Sequence, residues 1–186
     1  MASLLDGITR PSRTPPPFSN PRHSPLAIQN RLRMQLVGPD EHGQIITKQT
    51  VDHVHNIMNT YGMSRLVSLL AGGSMNASDW IGGMRIGTDN TAASSNDSRL
   101  LASTGSIDLT DAGDVIEAGA RTLRCVGTFG SDNPAGAATI REIGVYASSN
   151  VSTGLVNRLD LTGANSVNKG ASDVLNVSVE FTFTTA

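Results

Sequence analysis

Residues Leu175 to Thr184 read LNVSVEFTFT, and this stretch decides the fold. Leu175, Val177, Val179, Phe181 and Phe183 fall on one face, and Asn176, Ser178, Glu180, Thr182 and Thr184 on the other. Successive side chains of a strand point to opposite faces, so this alternation describes a half-buried strand of an antiparallel sheet. The same pattern recurs upstream. Arg121 to Phe129 places Leu123, Cys125 and Phe129 on one face, Thr139 to Ala147 is rich in β-branched residues, and Leu155, Asn157, Leu159 and Leu161 alternate again. Gly83 to Thr88, Ser106 to Leu109 and Val115 to Glu117 are shorter strand candidates, and Asp97 to Ala102 reads as one helical turn. Short strands between Gly/Ser/Asn/Thr-rich turns predict a mainly β chain, an antiparallel β-sandwich over residues 73–186.

The other end of the chain differs. Seven of its eight prolines lie within residues 1–39, among five arginines. Proline has no N–H and a fixed φ, so TPPPFSNPRHSP excludes a helix or an inner strand and predicts a polyproline-like arm. Leu26 to Val37 suits a short helix or strand, and Gly38-Pro39-Asp40 is a turn signal. The arm is assigned residues 1–45. Its candidate docking residues are Arg10, Arg13, Pro15, Pro16, Pro17, Phe18, Arg22, Arg31 and Arg33. Between arm and body, residues 46–72 predict a helical neck. Val51, Val54, Met58 and Tyr61 follow 3-4-3 spacing and form a stripe suited to subunit contacts, and Ser64 to Leu70 reads as a second short helix.

The net charge of −2 hides an asymmetry. Residues 1–36 hold five arginines and one aspartate, against nine basic and fifteen acidic residues in the rest. A basic tip on an acidic body suits an acidic protein surface. Nucleic acid is disfavoured, because the tip has no lysine and only Phe18 for stacking. Aromatic residues make up 4% of the chain, a thin apolar supply that points to burial between subunits. Cys125 is the sole cysteine, so no intrachain disulfide forms, which fits folding in a reducing cytoplasm. No stretch approaches the roughly 20 apolar residues of a membrane span.

The chemistry-bearing residue types do not assemble into a catalytic set. His53-x-His55 on a helix would diverge, so the pair makes a poor metal site. Asp108, Asp111, Asp114 and Glu117 lack the spacing of a calcium loop. Glu142, Asp173 and Glu180 have no signal that two of them face each other. The glycines near 72 and 82 lack the Lys-Ser/Thr of a phosphate loop, and no serine sits in a nucleophile elbow. Cys125 reads as core. Trp80 reads as a cover for one end of the sheet. Adjacent Arg141 and Glu142 face opposite ways on a strand. The expectation is a non-enzyme with no cofactor and no metal.

Four pieces of the body occur in an order of their own: IGTDNTAASSNDSRLLA after a glycine-rich turn, TFGSDNP, ATIREIGVYAS, and NKGASD leading into VLNVSVEFTFTT. Over residues 63–186 this resembles a β-sandwich module of tailed-bacteriophage virion structural proteins, of fibre or head-decoration type. The residues that carry the resemblance are Ile86, Gly87, Thr88, Leu100, Ile140, Glu142, Ile143, Gly144, Tyr146, Lys169 and Phe183. It implies a virion component made in the host cytoplasm, a homo-oligomer (a trimer by preference) and no active site. The arm would dock on capsid, neck or tail proteins. The alternative reading is a module that binds a host receptor or glycan at a fibre tip through polar loops such as 89–98 and 148–153. Those loops carry no aromatic residue, which favours the scaffold.

Overall fold

The computed structural model describes residues 26–53, 57–70, 81–109, 115–118, 121–147 and 154–185. Along the chain these form β1 (Leu26–Pro39), β2 (Ile45–His53), β3 (Ile57–Met58), α1 (Thr60–Leu70), β4 (Gly83–Gly87), β5 (Ser103–Asp108) and β6 (Val115–Ala118). There follow β7 (Thr122–Phe129), β8 (Ala138–Ile140), β9 (Glu142–Tyr146), β10 (Leu155–Asp160), β11 (Val167–Lys169) and β12 (Val174–Thr185). Two five-stranded sheets result, in the orders β2-β1-β12-β7-β6 and β3-β10-β9-β4-β5, with β11 and β8 as a separate pair. Every strand pairing is antiparallel.

One apolar cluster joins the two sheets. Leu32, Met34 and Leu36 of β1, Val177, Val179 and Phe181 of β12, and Cys125 and Phe129 of β7 meet Met84, Ile86, Ile143, Val145 and Leu159 of the other sheet. The fold is therefore mainly β and sandwich-like, with the core between sheets. The alternation read in LNVSVEFTFT is the alternation observed: Leu175, Val177, Val179 and Phe181 are buried, and Phe183 packs against the cluster. Burial pushes the Cys125 thiol up to about 12.

The arm and neck boundaries are corrected. Residues 26–39 are not an arm but an inner strand, β1, seated between β2 and β12. Leu32, Met34 and Leu36 alternate with Arg31, Arg33 and Gln35, so the arginines face outward from a strand whose other face is core. Residues 45–53 are not helical but form β2, paired with β1 from Leu32↔His53 to Pro39↔Ile45. The turn between them is held by Asp40, whose Oδ1 accepts the N–H groups of His42 and Gln44, both at 2.8 Å. Gly43 takes φ 77°, where an L side chain would be strained. Backbone pairing along β1 outweighs the weak helical stripe. Val51 lies opposite Met34 and is buried in the chain's own core, so it is no subunit contact. Met58 also packs against that core, from β3. Among the described residues of the predicted neck, Thr60–Leu70 is the helical part, which joins the start of the predicted second helix to Tyr61. Thr139 to Ala147 is two strands rather than one. They break at Arg141, whose N–H donates to the Gly87 carbonyl and whose carbonyl accepts from Leu161.

A chain that starts at Lys48 lacks all of β1, so β12 loses that neighbour along its full length and keeps only β7. Such a chain should show no cooperative thermal or urea unfolding. A chain that starts at Leu26 should unfold cooperatively with a midpoint within about 4 °C of full length, the shift that roughly 1 kcal/mol produces in a protein of this size. Circular dichroism melts of the three chains make the comparison.

Candidate functional site

The densest polar arrangement in the described residues lies on the far side of the second sheet, under the loop 88–102. Arg158, on β10, has 1% of its side chain exposed. Its Nε donates to Glu142 Oε2 at 3.0 Å and its Nη1 to Asp97 Oδ2 at 2.8 Å. The Thr91 carbonyl accepts from Nη2 at 3.0 Å and the Ala92 carbonyl from Nη1 at 3.4 Å, while Asp89 Oδ1 stands 3.7 Å away. Burial disfavours the charge, but the hydrogen bonds it donates to Asp97 and Glu142 outweigh burial and hold the guanidinium pKa above its ordinary value. Asp89 lies below the usual carboxylate range because the Thr91 hydroxyl and N–H both donate to it, with Arg158 adding attraction.

Glu142 works in both directions. Besides Arg158 it accepts the N–H groups of Ala102 at 2.8 Å and Leu101 at 3.2 Å. Leu100 follows the same route, its N–H donating to the Tyr146 hydroxyl at 2.9 Å, and its side chain packs with Tyr146 and Leu155. The loop's other attachment is α1. Asn59 caps that helix through Oδ1 to the Gly62 N–H at 2.8 Å and donates through Nδ2 to the Asp97 carbonyl at 2.8 Å. The loop 88–102 is therefore an irregular strap, not the helical turn expected at Asp97 to Ala102. Two glycines make room for it. A Cβ on Gly87 would run into the Glu142 carboxylate and the Ala102 carbonyl, and one on Gly144 would stand 2.9 Å from Leu100, Leu155 and Tyr146 atoms.

A second ionic contact ties the ends of the first sheet. Asp173, buried before β12, accepts from Lys48 Nζ of β2 at 2.7 Å and from the Gly170 N–H at 2.8 Å. Burial would raise its pKa, but Lys48, the Gly170 N–H and Lys169 outweigh burial and hold it below the ordinary 3.8. Lys169, buried nearby, donates to the Ser131 carbonyl at 3.3 Å, and burial lowers its pKa against the pull of Asp173 and Asp132. On the solvent face of the same sheet, Arg31 binds both oxygens of Asp52 at 2.8 and 2.5 Å.

The sequence candidates scatter. Arg10, Arg13, Pro15, Pro16, Pro17, Phe18, Arg22, Val54, His55, Trp80, Asp111 and Asp114 lie outside the described residues. Tyr61 is exposed at the start of α1, with the Arg65 guanidinium 5.5 Å from its ring centre. His53 Nδ1 meets Asn165 Nδ2 at 3.3 Å. Glu142, Asp173 and Glu180 go to three separate surroundings. Among the described residues no three His, Cys, Asp or Glu side chains converge as metal ligands. Reading the sequence missed Arg158 and Asp97 altogether. The one available signal was an arginine at a position of β10 expected to point away from the core.

Comparison with family models, curated proteins and solved structures gives no match of any kind. The functional reading therefore rests on the geometry together with the resemblance read in the sequence.

Replacing Arg158 by methionine leaves Glu142 buried and Asp97 half-buried without their counter-charge, a loss of about 3–5 kcal/mol by the usual cost of breaking a buried pair. Urea unfolding should show that loss, and hydrogen exchange should show amides 100–102 losing protection before those of β12. The Asp173 carboxyl has a folded pKa below its unfolded one, so its stabilisation is complete above the ordinary 3.8 and is lost as pH falls through the folded value. The Asp173→Asn variant should accordingly lose less stability than wild type between pH 5 and pH 2, measured as the urea midpoint against pH.

Proposed function

We propose that the chain is a non-enzymatic structural component of a tailed-bacteriophage virion, seated on capsid, neck or tail proteins through its N-terminal segment. One observation carries the reading. The residues behind the resemblance are committed to architecture: Glu142 holds strap and arginine together, Gly87 and Gly144 give the strap space, Tyr146 and Leu100 pack beneath it, and Lys169 is buried by the second ionic contact. A module whose charged groups brace loops and sheets suits a part that must keep its shape within an assembly. In this reading the docking segment is residues 1–25, N-terminal to β1, whose first residue Leu26 pairs with Thr185. With Val51 and Met58 turned inward, self-association falls to exposed apolar residues such as Met63 and Val67 on α1 and Ile45 and Ile46 at the start of β2.

The test is a complementation experiment in the phage that encodes the chain. Full-length protein should be recovered in purified particles at fixed stoichiometry, and a chain of residues 26–186, folded by circular dichroism, should be absent from them. Absence of the full-length protein from particles, or normal incorporation of the shortened chain, overturns the proposal.

A further inference from the structure

A shallow trough of about 320 Å³ lies on the outer face of the sheet β2-β1-β12-β7-β6. Strand register sets its lining in two rows that cross the strands. One runs Thr50, Gln35, Asn176, and the other Asp52, Arg33, Ser178, Val126. Two residues along a strand and four strands across give a trough roughly 7 Å by 14 Å. Its long axis crosses strands whose backbone groups already pair with one another, so anything bound there is recognised by side chains.

Those side chains offer both donors and acceptors. Gln35 Nε2 donates to Thr47 Oγ1 at 3.2 Å, which leaves Oε1 as an acceptor. Asn176 Oδ1 accepts from Thr128 at 3.0 Å, which leaves Nδ2 as a donor. Ser178 Oγ accepts from Arg124 Nε at 3.0 Å and keeps its O–H. Mixed donors and acceptors match hydroxyl groups, each of which gives and takes a hydrogen bond.

The charges single out one residue. Asp52 is held at both oxygens by Arg31, and Arg124 lies in register between Glu180 and Glu117. Arg33 has only a 3.4 Å Nε contact to the Asp52 oxygen that Arg31 already holds, and 60% of its side chain is exposed. Its two Nη groups have no hydrogen-bond partner among the described residues, a fork that fits a carboxylate bidentately. No aromatic ring lines the trough, so a neutral sugar finds no stacking platform and affinity falls to that fork. We infer that this trough binds a short carboxylated saccharide, with its carboxylate on Arg33 and its hydroxyls on Gln35, Thr50, Asn176 and Ser178. The inference goes beyond the virion reading and stands or falls separately from it, since it rests on the sheet face alone.

Amide shift titrations of the isotopically labelled full-length chain test it, with trigalacturonate and sialyllactose as acidic probes and maltotriose and triglutamate as controls. One acidic sugar should shift the amides of Arg33, Gln35, Thr50 and Asn176 saturably, with a dissociation constant of about 1 mM or tighter. Response to trigalacturonate points to a uronic source, and response to sialyllactose to a sialic one. Arg33→Gln should weaken that binding at least tenfold, and Arg33→Lys should restore it only in part. Thr50→Val should weaken it severalfold, all three with the thermal midpoint unchanged. The inference is overturned if neither acidic sugar shifts these amides, if maltotriose does so equally, if triglutamate binds as tightly, or if Arg33→Gln binds like wild type.

Discussion

A guanidinium enclosed in protein is tolerable only when its charge and all its donors are met, because an unpaired buried charge costs several kcal/mol. Arg158 meets that condition with two carboxylates and two backbone carbonyls, and three of those four groups belong to the strap 88–102. The requirement works in reverse as well. A strap of Asp, Asn, Ser and Thr has too little apolar surface to stay on a sheet by burial, and the arginine supplies the attachment. Once seated, the strap buries Leu100, Tyr146 and Leu155 and turns the outer face of β9 and β10 into interior.

The two sheets are thereby finished in different ways. The second has a layer on each side, with its motif glycines leaving room for carboxylate and ring. The first keeps a polar outer face in which charges answer one another along the cross-strand register, and its far end is fastened by Lys48 and Asp173. Gly38 takes part in that fastening, since a Cβ there would collide with the Asp173 carboxylate. Charged groups are buried on the outer side of the second sheet and exposed on the outer face of the first.

Much of this was legible in the chain. The strict period of two in β12 and β7, the short strands after residue 80, and the inward face of Cys125 follow from alternation alone. The grouping of IGT, EIG and the Lys-Gly turn marked the positions that the strap and the ionic contacts occupy. Two parts were only partly legible. Leu26 to Val37 could be read as a helix or a strand, and neighbouring prolines with arginines on the outer face hid that β1 is an inner strand of the body rather than part of an arm. The 3-4-3 spacing of the neck residues suggested a helix where β2 forms. Arg158 was hidden because its partners are 16 and 61 residues away along the chain, beyond any local pattern.

β1 lies between β2 and β12, so the first described strand is completed by the last. Pairings so distant in sequence form late, because the loop they close spans nearly the whole body. During synthesis the sandwich therefore stays open until β12 has left the ribosome, and Leu32, Met34 and Leu36 lack their cover until then. An interrupted chain has no closed body to offer. This arrangement acts as a completeness check on the body, made by topology.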